Sequence, residues 1–307
     1  MRKGLFVLFP PAATVAFTLL LLPASMFGQD TRSAPGDTPQ GEPLVAGCPR
    51  TSQEFYRCAK PKALAFKPAR TPDGKPDMQG AWNASTTTGS QNIEDTPGDG
   101  GFFFRATKTL IVDPADGKIP YQPWAAAQRA KHFEQYIDPY ATCYPSGIPR
   151  QMYSPRGHHF LQSPGLFVVV SEWAHVSRVI PIDGSPHIGK GVRLYMGDSR
   201  GRWEGNTLVV DTTNLTDETW FDVVGDFHSE AMHVTERLTM IDPDTILYET
   251  TVDDPSVFTR PWTMAFPIMR MEKGHEVMEE ACYEGDHSIP NLLSTGSKVY
   301  TGMNEAK

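Results

Sequence analysis

Residues 228–237, HSEAMHVTER, place two histidines, two glutamates and an arginine within ten positions. Imidazole titrates near neutral pH, and a partly buried carboxyl can be raised toward it. His228 and Glu230 are therefore the best acid–base pair in the chain, and they share a face if an extended strand begins early enough. On such a strand Met232, Val234, Leu238 and Met240 lie on one face, together with Glu230 and Glu236. His233, Thr235, Arg237 and Thr239 lie on the other, which reads as the ordinary solvated face. A carboxylate on an apolar face persists only with a cationic partner, a wet cavity, or a bulge that turns it outward.

Other segments offer partners by the same alternation. Arg178 shares a face with Val176, Ile180 and Ile182. Arg270 ends the face of Trp262, Met264, Phe266 and Ile268, and Tyr248 follows Ile246. Two arginines, two glutamates and a tyrosine then point inward, either as a structural ion-pair network or as the polar patch of a ligand pocket. In the second reading Arg178, Glu236, Tyr248 and Trp262 contact the ligand.

Nine histidines are present, but no H-E-x-x-H, H-x-H or Cys/His ladder. A zinc site would need distant pieces to converge, such as His187, His228 and Glu230. No metal or cofactor is expected. The chain has no G-x-S-x-G elbow, no nucleotide-binding glycine pattern and no C-x-x-C-H haem motif. The glycine-rich stretch 197–202 reads as a loop at a barrel mouth.

The elements that must position these side chains are mostly strands. Segments 80–85, 101–111, 166–170, 176–182, 202–204, 207–214, 230–241, 245–253, 262–271 and 276–283 read as β, several joined by tight turns. The pattern predicts an antiparallel meander forming a β-barrel or strongly curved sheet, with a β-sandwich as the alternative. Pro123 opens one helix near 123–136, with Trp124, Phe133 and Tyr136 as its expected buried side. Residues 48–76 read as a clamp of loops and turns.

Arg2 and Lys3 precede an apolar run to Leu22 and then small residues, the layout of a cleaved signal peptide over 1–28. Residues 29–47 read as a disordered linker, 48–285 as a single β-rich domain and 286–307 as a C-terminal tail. Export, to the periplasm or the medium, makes disulfides the expected state of the four cysteines. Proximity pairs Cys48 with Cys58 and leaves Cys143 for Cys282. The net charge of −8 becomes −10 once Arg2 and Lys3 are removed, which disfavours nucleic acid and anionic membrane surfaces as partners.

The stretches Gly201–Asn214 (GRWEGNTLVVDTTN), His228–Arg237, Asp253–Pro255 and Pro261–Thr263 resemble a family of secreted bacterial β-rich proteins. The resemblance covers about residues 76–285. It implies a shared β-rich fold and export, and it carries no catalytic assignment.

Three functions compete. The first is a lipocalin-like exported barrel that binds a small, partly apolar molecule. The second is an enzyme on the same barrel, a hydrolase, isomerase or lyase, using His228 and Glu230. The third is a structural or partner-binding envelope protein with the loop 86–101 as contact surface. An enclosed pocket favours the first two, and a filled interior favours the third.

Overall fold

The computed structural model describes residues 44–84, 91–98, 106–280, 282 and 287–303. It is mainly β. Nine strands form one antiparallel path: β1 (Gly80–Ala84), β4 (His158–Ser163), β5 (Leu166–Ser171), β6 (Ser177–Pro181), β7 (Asp198–Glu204), β8 (Thr207–Thr213), β9 (His233–Asp242), β10 (Thr245–Asp253) and β11 (Trp262–Arg270). Their order is β6-β5-β4-β1-β11-β10-β9-β8-β7, with β2 (Ile111–Asp113) added beside β11. A separate parallel pair joins β3 (Tyr136–Ile137) to β12 (Lys298–Val299).

The sheet curls into a nearly closed barrel. No backbone ladder among the described residues joins its end strands β6 and β7, yet they meet through side chains. A Cβ at Gly201 would lie 3.0 Å from Ile180 Cγ2 and 3.1 Å from Ile182 Cγ1, so glycine lets the edges approach. The inward face is filled by Trp82, Phe160, Phe167, Leu208, Val234, Tyr248, Trp262, Phe266 and their neighbours. One continuous sheet with a single enclosed core excludes the sandwich alternative.

Helices pack on this sheet and beside it. The helix α1 (Ser52–Ala65) lays Phe55 and Ala59 against Ile241, Leu247 and Ala265 on the outer face. Strands β9–β11 are therefore covered on both faces, and their buried positions run together instead of alternating. This helix replaces the clamp of loops expected over 48–76. Thr51 and Glu54 have the spacing of a capping box, which marks its start.

The predicted helix is α2 (Pro123–Gln135), but its buried side differs from the expectation. Ala125 and His132 are buried, whereas Trp124 and Phe133 are each 48% exposed. The ring of His132 stacks on Trp220 at 4° between planes, and Arg129 reaches Asp226. Gly225, at φ +91°, leaves room for this packing, since a Cβ there would sit 2.8 Å from His132 Cβ.

Other boundaries also moved. β9 begins at His233, not at 230, and the described residues of the expected strand 276–283 are not strand. The stretch 198–202 belongs to β7 instead of a loop. The hairpin β4–β5 had only its second strand predicted. The expected C-terminal tail is built into the fold through α4 (Ser288–Ser294) and β12, with Ile289 and Tyr300 buried. A fourth short helix, α3 (Arg150–Tyr153), lies wholly buried in the loop after Cys143.

Both predicted disulfides form, Cys48–Cys58 and Cys143–Cys282. They fit an oxidising compartment outside the cytoplasm. Among the described residues no helix is long and apolar enough to cross a membrane. Most of the expected signal and linker region, and much of the 86–101 loop, lie outside the described residues.

Candidate functional site

Strand alternation placed Arg178, Glu236 and Tyr248 on inward faces, and the structure joins them. Arg178 on β6 crosses the seam between the end strands. Its Nε donates to Ser199 Oγ at 2.9 Å and its Nη2 to Thr212 Oγ1 at 2.7 Å. Both Nη atoms pair with the Glu236 carboxylate, Nη1 at 2.9 Å from Oε1. The Tyr248 hydroxyl donates to the same Oε1 at 2.8 Å. Arg178 is 5% exposed and Glu236 0%, so this is a buried ion pair with its hydrogen-bonding capacity largely used within the protein. Burial, and next the Glu236 charge, push the Tyr248 hydroxyl well above its usual range.

The remaining inward candidates sit elsewhere. Trp262 is fully buried among Phe221 and Phe258, and its Nε1 has no hydrogen-bond partner among the described residues. Arg270 does not join the cluster. It lies over the Trp82 ring at 4.1 Å and donates to the carbonyls of Gln79 and Pro243.

His228 and Glu230 do not come together as expected, because the strand starts after them. Glu230 occupies a turn, is 48% exposed and pairs with Arg193 at 3.2 Å. His228 is 1% exposed. Its Nδ1 lies 3.1 Å from Ser229 O and its Nε2 2.9 Å from Thr219 Oγ1. A carbonyl only accepts, so Nδ1 carries the proton and Nε2 accepts from the threonine hydroxyl. That neutral form agrees with the direction of its pKa, which burial lowers.

The loop-built end of the barrel holds polar groups that strand periodicity missed. Arg150 and Asp138 form a buried bidentate pair, at 2.7 and 2.9 Å, with the guanidinium 4.5 Å from the Tyr140 ring centre. Asp226 accepts from Tyr121 at 2.9 Å and from Arg129. Its neighbour Asp222 is fully buried, and burial together with Asp226 pushes the Asp222 carboxyl well above the usual carboxylate range. These residues lie in turns and short helices, where no sequence period marks the inward side.

His187 does meet carboxylates, though not His228 or Glu230. Its Nδ1 donates to Asp198 Oδ2 at 2.7 Å, and its Nε2 lies 3.6 Å from Asp211 Oδ2. His233 Nε2 reaches the same Asp211 carboxylate from the other side, at 2.9 Å from Oδ2. His233 is thus on the outer face, as its position in the alternation implied, but it is not a bare surface residue. Among the described residues no three His, Cys, Asp or Glu side chains are arranged to hold a metal ion.

An open cleft of about 560 Å³ lies at the β4–β5 turn, where the ends of β6 and β7 face residues 71–79. Leu166, Ile182 and Trp203 give it an apolar wall; Lys75, Gln79, Gln162 and Arg202 give it polar groups. Gln162 is held by Met78 N, which donates to it at 2.6 Å, and by Pro76 O, to which it donates at 3.0 Å. Nothing in the strand alternation singled out these residues, because the cleft forms where strands end.

No protein-family model, curated protein or solved structure matches the chain.

Proposed function

We propose that this is an exported protein, periplasmic or secreted, that binds a small, partly apolar molecule in the cleft at the β4–β5 end. The observation that carries the reading is the cleft itself, about 560 Å³ with one apolar and one polar wall. Small-molecule sites typically span about 300–1,000 Å³ and combine apolar lining with a few fixed polar groups. The filled interior argues against a lipocalin-like lumen site, and it moves Arg178, Glu236, Tyr248 and Trp262 from ligand contacts to core structure. Taken alone, a filled interior would favour a purely structural protein; the cleft is what favours binding.

The reading is tested with the mature protein and an anilinonaphthalene sulfonate probe, an amphipathic fluorophore. Probe emission should rise, and Trp203→Ala and Leu166→Asp should each abolish the rise while the fold persists. Unchanged probe binding in both variants would overturn it. Native mass spectrometry of protein from its own host would then identify the natural occupant.

A second reading, acid–base catalysis, is favoured by one observation. Asp198 orients His187 through Nδ1, leaving Nε2 directed toward the Asp211–His233 pair. That geometry can hold and pass a proton, as the pair His228 and Glu230 cannot. A hydrolase, isomerase or lyase activity abolished by His187→Gln but not by His228→Gln would support it.

A further inference from the structure

We propose that pH regulates the cleft through a strap, residues 183–188, which a proton on His187 fastens to the barrel; this rests on the reading of the cleft as the binding site. The strap runs between two anchored points. Ile182 N donates to Gly165 O at 2.8 Å before it, and Asn214 Nδ2 donates to Gly189 O at 3.0 Å after it. Between them, contacts to β7 hold the strap down. His187 Nδ1 donates to Asp198 Oδ2 at 2.7 Å, Ile188 N donates to the same oxygen at 3.1 Å, and Arg200 Nε donates to Pro186 O at 2.9 Å. The same two segments build the cleft, which Ile182, Gly184, Gly201, Arg202 and Trp203 line.

The second nitrogen of the same ring makes the fastening proton-dependent. A carboxylate only accepts, so in neutral His187 the proton sits on Nδ1. Nε2 then turns a lone pair toward Asp211 Oδ2, 3.6 Å away on β8. A proton on Nε2 converts that approach into a charge-assisted bond, and the strap is tied to two strands instead of one. The charged groups around the ring are Asp198 and Asp211, and Arg200, which pairs with Asp198 at 2.7 Å. His233 on β9 competes for Asp211 through Nε2, 2.9 Å from Oδ2, and Asp253 on β10 stands opposite His233 in register. A plain structural tie explains Nδ1 on Asp198. It does not explain a second carboxylate placed before Nε2. The residues lining the cleft include no histidine, so a response near neutral pH has to come from beside it.

The test follows the anilinonaphthalene sulfonate probe, whose charge is constant over this range, on the mature protein. It should bind about fivefold more tightly at about pH 5.5 than at about pH 8, the low end of usual couplings between sites. His187→Gln keeps a donor for Asp198 but cannot take the proton, so it should bind the probe equally at both. His233→Gln should keep the difference. A difference that survives His187→Gln, that vanishes in His233→Gln, or that is absent from the native chain overturns the proposal. Hydrogen exchange reads the strap without any ligand. Protection of the Ile188 amide, corrected for its intrinsic rate, should rise on the same acidification in the native chain and not in His187→Gln. Equal protection at both pH values overturns the latch even where the probe responds. No probe binding at either pH defeats the reading of the cleft itself, and this regulation falls with it.

Discussion

Two buried ion pairs divide this molecule, and they are built differently. Arg178–Glu236 stands on strands, one on each side of the barrel seam, and every group around it comes from a strand. Arg150–Asp138 stands on a short helix and the residue before a turn, close in sequence to Cys143. The first is placed by backbone ladders that alternate with period two. The second is placed by loops that need fastening from outside, and the Cys143–Cys282 disulfide supplies it.

The largest expected effect concerns that fastening. The bond joins residues 139 apart, and a loop of that length gives roughly 5 kcal/mol in the chain-entropy account, against roughly 3 kcal/mol for the ten-residue Cys48–Cys58 loop. Cys143→Ser/Cys282→Ser should therefore cost more stability in urea unfolding than Cys48→Ser/Cys58→Ser. Hydrogen exchange should rise around 138–157 and stay low at 234–240. Equal loosening of both regions would show that the two centres are not independent.

Next comes the strand-built pair. Removing one partner of a buried ion pair leaves a charge without compensation, at about 3–5 kcal/mol. Arg178→Met should show this in chemical denaturation. Combining it with Glu236→Leu should recover much of the loss. A double variant no more stable than Arg178→Met would mean that Ser199, Thr212 and Tyr248 depend on the carboxylate as much as the arginine does.

The contrast also explains what could be read from the sequence. Arg178, Glu236 and Tyr248 were legible because a strand exposes its facing rule in every second residue. Glu230 was misplaced because alternation says nothing about where a strand begins; a turn at 230–231 put it at the surface. Helix α1 hid behind a proline at 61 and a basic composition, although Thr51 and Glu54 carried the cap signal. Arg150, Asp222 and the cleft at Trp203 were not legible, since loops bring them together over distances that no short pattern spans.

Buried histidines give a pH dependence of the third size. Burial lowers His158 to about 4, and it also lowers His228 and His132. An unfolded chain protonates its histidines below about 6.5, while these folded ones resist. The folded state then binds fewer protons, so stability is full above that value and falls as pH drops toward 4. Asp222 acts with opposite sign: its raised pKa keeps a proton that the unfolded chain loses, so its contribution fades as pH rises. His158→Gln should shrink the loss between pH 7 and 4 by up to about 3 kcal/mol. Thermal melts across that range would read it, and an unchanged slope would show that His158 accepts a proton in the fold.

The smallest effect returns to Glu230, and it separates the two ways of reading the same stretch. If the strand had begun at residue 230, Glu230 would face methionine, valine and leucine, and neutralising it would unbalance the core. In the turn it occupies, it is half exposed and pairs with Arg193, itself 33% exposed. Such a surface pair contributes about 0–1 kcal/mol and is screened by salt. Glu230→Gln should therefore shift the denaturation midpoint slightly, and the shift should vanish in 0.5 M salt, about the concentration at which screening shrinks to a few ångströms. Glu236→Gln in the same assay should cost several-fold more and ignore salt, because its partner is buried with it. Two glutamates six positions apart share a strand parity and differ only in whether the strand has started. A large, salt-independent loss for Glu230→Gln would put the strand start back at 230 and reopen its pairing with His228.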